Sequence, residues 1–376
     1  MTTLQYVIER VSPTERSRDT VYGEELLRAM TINAPTGVEV ELMLPAVDEE
    51  ELDRLRESFP GLTAVHPTTL SRRELRIAWQ RSMTTKPIEG LVHAASLFAP
   101  LRRSDGSSNG QSVVTVSSLA WLEKSKAPSG ARHQWFSRMI SRSERYADAV
   151  VVPTHALAVQ LASLGNFGDR IRVIAAAPTP SLVLAKSDPE RSELLGLPEA
   201  YVHVVTRRYD VDAAQRAVDA IADSGFPDLP VVVTGPVSWK NTSFGEMLVN
   251  ARLTPGRVIM LGNLCDRDLA IVVRGAAVSM LTSTQDEFGL DLLDALALET
   301  PVVHSENESL AEIADGTTTS IALADGASGF ARAIATVVDE ASRSTVRQQV
   351  VRGADRARWF HWSDTAQQIW QLHADL

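Results

Sequence analysis

A single cysteine, Cys265, leaves no partner for an internal disulfide and too few thiolates for a cysteine-rich metal site, which fits a reducing compartment. The eight histidines show no metal-ligand spacing, so no metal site is predicted. No stretch approaches the roughly 18 uninterrupted apolar residues of a membrane-spanning helix. Residues Met1 to Arg10 have neither a basic start nor a long apolar core. No signal peptide is read there, and a cytoplasmic location is expected. Positive charge is also short: 37 Lys and Arg stand against 47 Asp and Glu. Residues 1–190 balance at 22 of each sign, so the net −10 comes from the 15 basic and 25 acidic residues of 191–376. A nucleic-acid partner needs a basic face and is not expected. The small basic clusters, Arg72, Arg73 and Arg76, then Arg102 and Arg103, read first as solvated faces. Peripheral contact with an anionic lipid surface or an acidic acceptor is their functional alternative.

A chain of 376 residues exceeds one core, so two domains are expected. Strand-like runs at 6–8, 38–44, 91–93, 113–116, 149–152 and 171–174 alternate with amphipathic helices near 24–30, 49–57 and 135–146. That alternation means a parallel sheet with helices on both faces. Ala176-Ala177-Pro178-Thr179-Pro180 breaks the pattern, and runs at 202–205, 231–236, 258–262, 278–282 and 301–303 restart it. The predicted class is α/β: two doubly wound Rossmann-like domains facing across a cleft, residues 1–178 and 179–355. Thr154 before His155 reads as a helix cap. Trp135, Trp359 and Trp362 read as core or domain-packing aromatics. His93 ends a strand, where a ligand contact and a hydrogen-bonded structural role are equally open.

The densest chemistry lies in Asp286-Glu287-Phe288-Gly289-Leu290-Asp291-Leu292-Leu293-Asp294, running into Thr300-Pro301-Val302-Val303. An apolar strand, a Phe-Gly break, helical spacing and a second strand make a strand, loop, helix, strand unit. The loop and helix N-terminus of such a unit lie at the carboxyl edge of the sheet, where backbone N–H groups and the helix dipole attract phosphates. Asp286 on the loop and Asp294 in the helix could face one ligand, one carboxylate taking ribose hydroxyls and the other a sugar hydroxyl. Two solvated acids are the plainer alternative.

In order and spacing, Val231 to Pro236 with the Gly235 turn, Arg257 to Asn263, Arg274 to Ala277 and Asp286 to Val303 resemble the donor domain of retaining glycosyltransferases of the GT-B fold, family-4 type. Val92-His93-Ala94-Ala95-Ser96, Ala147 to Ala156 and Arg358 to Ser363 extend the resemblance over nearly the whole chain. It implies that residues 356–376 form a helix crossing back onto the N-terminal domain. It also implies a donor site built from Arg207 or Arg208, Gly235, Lys240, Phe288, Gly289, Leu290 and Asp294, with Asp286, His93, Ser117 and Ser118 at the reacting centre. No cofactor or metal is implied; the nucleoside diphosphate sugar is a substrate.

Several positions depart from the family pattern. Asp286 and Asp294 replace glutamates, shortening each reach by about 1.5 Å. Ser117-Ser118 stand where a His-Asp pair is usual and supply neither imidazole nor carboxylate. The Gly-rich first loop falls on Arg18-Asp19-Thr20. The phosphate lysine falls near Val211 or Asp212, with Lys240 as a candidate substitute. Glu299 replaces a glycine and would bring a negative charge near the donor. The expected function is transfer of a sugar from a nucleoside diphosphate sugar to a glycan, lipid-linked or small-molecule acceptor. The alternatives are an inactive pseudo-glycosyltransferase acting as a binding or scaffold partner of an active glycosyltransferase, and a catalyst of the same fold with a different donor or a non-glycosyl coupling; the partner protein expected is another glycosyltransferase or a second copy of the chain.

Overall fold

The computed structural model describes residues 2–11, 17–83, 90–101, 110–122, 130–185, 188–207, 210–235, 243–253, 256–285 and 288–376. They form two compact units, Met1–Ala176 with His361–Leu376, and Ala177–Phe360. The first unit runs β1 (Thr2–Val7), α1 (Arg18–Ile32), β2 (Val38–Leu44), α2 (Glu49–Ser58), β3 (Ala64–Pro67), α3 (Arg72–Gln80), β4 (Leu91–Ala94), β5 (Gln111–Thr115), α4 (Gly130–Tyr146), β6 (Ala149–Val152), α5 (His155–Ala162) and β7 (Ile171–Val173). Its strands lie in the order β3-β2-β1-β4-β5-β6-β7, all parallel. Parallel neighbours cannot be joined by a tight turn, which is why helices separate so many of them. A strand covered on both faces is apolar throughout, as in the fully buried Ala149-Val150-Val151-Val152. Side chains cap the helices at their starts: Ser17 accepts from the Thr20 N–H, Asp48 from Glu51, and Thr154 from Leu157, the last as its sequence suggests.

The second unit runs α6 (Asp188–Leu194), β8 (Val202–Val205), α7 (Val211–Ala222), β9 (Val231–Thr234), α8 (Ser243–Asn250), β10 (Val258–Gly262), α9 (Asp266–Gly275), β11 (Val278–Leu281), α10 (Leu290–Ala297), β12 (Val302–Ser305), α11 (Glu308–Ala314), β13 (Thr319–Ile321), α12 (Gly326–Val338) and α13 (Arg343–Ala357). The order β10-β9-β8-β11-β12-β13 is again wholly parallel. Both sheets therefore have the doubly wound order that reverses direction at one central strand pair, β1/β4 in the first and β8/β11 in the second. β3 and β13 were not expected; both are short, partly exposed edge strands.

The last helix, α14 (Trp362–Asp375), belongs to the first unit. Trp362, Thr365, Ala366, Ile369, Trp370 and His373 recur at three- and four-residue spacing and form its buried stripe. The Trp370 indole donates to the Met30 carbonyl at 3.2 Å, and the Thr365 hydroxyl to the Ala175 carbonyl at 2.8 Å. Trp135 and Trp362 are buried, but Trp359 is 75% exposed with the Arg356 guanidinium 5.7 Å from its ring, because it follows α13 at an outward turn. No described helix is long and apolar enough to cross a membrane.

Buried imidazoles make the fold acid-sensitive. His203 in β8 bridges the hydroxyls of Ser279 (3.0 Å) and Thr234 (2.9 Å) across three strands. Burial lowers its pKa from 6.5 to about 4, and that of His373 to about 4. The unfolded chain binds these protons first, so stability is full above pH 6.5 and falls as pH drops from there towards about 4. The expected loss is about 1.4 kcal/mol per pH unit for each histidine. Urea midpoints measured across that window should show the fall, and a flat profile would contradict the burial.

Candidate functional site

β8 and β11 are the pair at which the second sheet reverses, and ligands in such sheets bind outside the carboxyl ends of the switch-point strands. Val204 lies opposite Met280, so Arg207 and Ser283 leave the sheet at one level. Thr206 is anchored to Thr234, whose carbonyl accepts both its N–H (2.8 Å) and its hydroxyl (3.0 Å). Gly235 follows with φ of 138°, and a Cβ there would lie 2.3 Å from the Thr206 hydroxyl oxygen. Only glycine lets β9 end against the residue that carries Arg207. Asp210 caps α7 at the Ala213 N–H (3.0 Å) and accepts from the Ser283 hydroxyl, joining the two loops. Asp212, at the position of the absent lysine, is exposed in the first turn of α7.

The loop after β11 is pinned from two sides. Arg216 Nε (2.9 Å) and the Ser305 hydroxyl (2.8 Å) both donate to the Thr282 carbonyl. Asn307 Nδ2 donates to the Thr284 carbonyl at 3.0 Å. The sequence gives no hint of Arg216, which reaches this loop from one helical turn beyond Asp212. Phe288 and Leu290 turn their side chains into the core, so they can offer a ligand only backbone. Gly289 is the N-cap of α10 at φ 61°, and a Cβ there would lie 2.4 Å from Ile313 Cδ1.

Two carboxylates in the apolar helix α10 are buried. Asp294, 3% exposed, accepts the Thr179 N–H at 2.7 Å and the Thr179 hydroxyl at 3.1 Å, holding the segment where the chain enters this unit. Asp291 forms an ion pair with Arg207. Sequence reasoning missed Asp291, although three-residue spacing sets it on the same face as Asp294. Together the switch point gathers Arg207, Gly235, the α10 N-terminus, Asp291 and Asp294. Asp286, Arg208 and Lys240 lie outside the described residues.

Residues 201–340 match the family described as Glycosyl transferases group 1. This second domain belongs to the group 1 glycosyltransferases. The chain is 27% identical over 279 residues to the D-inositol 3-phosphate glycosyltransferase of Acidothermus cellulolyticus, covering 70% of this chain and 61% of that relative. Sucrose-phosphate synthase from Thermosynechococcus elongatus superposes with a TM-score of 0.75 at 18% identity, over 100% of this chain and 99% of that one. Anabaena HepE, in a structure with UDP and glucose, gives 0.73 at 14% identity, over the whole of both chains. The fold is GT-B.

Within the glycosyltransferase domain, Glu299 departs from expectation. It sits beyond the far end of α10 from Gly289, a helix of eight residues and so about 12 Å long at 1.5 Å per residue, and pairs with Arg274 at 3.2 Å. Its φ of 55° explains a glycine preference there by backbone conformation alone. In the other unit, Ser117 and Ser118 are half-buried just beyond β5, and the Ser118 hydroxyl oxygen accepts the Ala120 N–H at 3.1 Å. His93 is fully buried, stacked on Tyr6 at 5.7 Å and meeting His373 edge-on at 5.6 Å. Its pKa is well below the usual value through burial and then through His373. α14 covers it, so direct ligand contact is closed to it in this structure. Arg18-Asp19-Thr20 form the first turn of α1.

Two substitutions at near-identical φ should act oppositely. Glu299→Gly relieves left-handed strain and should stabilise by about 1 kcal/mol. Gly289→Ala adds that strain and an Ile313 clash and should destabilise by about 2 kcal/mol. Denaturant titration of both variants checks the pair of signs.

Proposed function

We propose that this chain is a retaining glycosyltransferase that moves a sugar from a nucleoside diphosphate sugar to a hydroxyl of a glycan, lipid-linked or small-molecule acceptor. The observation that carries the reading is the convergence of Arg207, the α10 N-terminus and two buried carboxylates at the switch point of the domain that matches the family. Helix N-termini and guanidinium groups favour phosphate. In this reading the diphosphate lies on Gly289-Leu290 beside Arg207, without a metal. Asp294 takes the ribose hydroxyls; a carboxylate can accept about four hydrogen bonds, so holding Thr179 does not preclude this. Asp286 meets the donor sugar. As the bond from the sugar's anomeric carbon to the diphosphate breaks, the acceptor oxygen bonds to that carbon on the same face. Its proton passes to the departing phosphate oxygen, and Arg207 stabilises the charge that develops.

Heating the pure protein with UDP, GDP, ADP and dTDP tests the site. At ten times the dissociation constant one of them should add about 1.4 kcal/mol of stability, read as a rise in Tm. A flat response to all four would overturn the reading. Asp294→Asn should abolish the rise produced by the active nucleotide, and a retained rise would move the ribose site elsewhere.

A further inference from the structure

We propose that Asp291 is a built-in counter-ion of Arg207 that the donor's diphosphate must displace, so that this aspartate sets how tightly phosphate-bearing ligands are held. The inference rests on the donor-site reading given above. The ion pair has a definite polarity in space: the Asp291 side chain is 4% exposed and that of Arg207 is 29% exposed, so the cation is the reachable member. Asp291 lies in the first turn of α10. It therefore draws on the same two features, a guanidinium and a helix N-terminus, that would attract a diphosphate. Asp294, one turn later, accepts both Thr179 bonds at the chain entry. With Asp291 ionised, the Arg207 pair carries no net charge, and a diphosphate entering beside it meets a buried carboxylate at close range in a medium that screens poorly.

Asp291→Asn leaves Arg207 with its full charge and nearly the same side-chain shape. Calorimetric titration with the nucleoside diphosphate that binds best should show affinity rising about tenfold. The corresponding nucleoside, which has no phosphate, should bind as before. The salt dependence of diphosphate binding should steepen. A merely structural role for Asp291 would shift nucleoside and diphosphate binding together, and that result, or an unchanged or weaker diphosphate affinity, overturns the proposal. If Asp291→Asn does not fold, Arg207→Gln in the otherwise unaltered chain decides. That change leaves the Asp291 carboxylate without its cation beside the phosphates, so diphosphate affinity should fall more than about tenfold while nucleoside affinity is kept, and a loss of less than about threefold overturns the proposal. Binding to the unaltered protein with no gain in Asp291→Asn removes only this inference. Absence of binding by all four diphosphates to both proteins removes the donor-site reading and this inference with it.

Discussion

Where β8 meets β11, the chain leaves one strand towards one face of the sheet and the next strand towards the other, and this reversal governs the second domain. A crevice at the carboxyl ends of those strands follows from connectivity alone. Thr206 and Thr282 directly follow the two strands, and both spend their hydroxyls on main-chain carbonyls. Gly235 then allows the backbone of β9 to close against Thr206, fixing the point from which Arg207 projects. The arginine's position is thus set by strand order, hydroxyl anchoring and one missing Cβ.

Buried charge is the second constraint. Placing carboxylates in the apolar helix α10 costs several kcal/mol apiece unless each is compensated. Asp294 is compensated by two neutral donors from Thr179, and Asp291 by a guanidinium. The first arrangement ties down the chain entry; the second ties down a cation. Both use helix positions three apart, so one face of α10 serves two loops that are remote in sequence.

The doubly wound sheets were readable because fully covered parallel strands are mostly apolar runs: Ala149–Val152 is apolar throughout, and Val202–Val205 and Val278–Leu281 are each interrupted by one polar residue, His203 and Ser279, which bond to one another. β3 and β13 escaped notice because an edge strand has only one covered side and tolerates Thr, Ser, His and Pro. In the site, the helix start at Gly289 was readable from the Phe-Gly break. The Asp291 pair was not, since its partner is 84 positions away and nothing local distinguishes a paired acid from a solvated one. His93 was left open between two roles for a related reason. A strand end looks open until a helix from the other end of the chain is laid over it, and only the three-dimensional fold brings His373 there. Glu299 shows the reverse case, in which the family pattern suggested a charge near the donor and backbone conformation supplied the cause of the glycine preference.

The position of α14 has a consequence for how the chain is made. Its buried stripe completes the first domain, yet the 184 residues from 177 to 360 separate it from the rest of that domain. At roughly 5–20 residues per second, a ribosome needs about 10–40 s to cross that interval. During this time Tyr22, Met30 and His93 lack the helix that buries them, and the second domain can reach its native form first. The first domain to be synthesised is therefore the last to be finished.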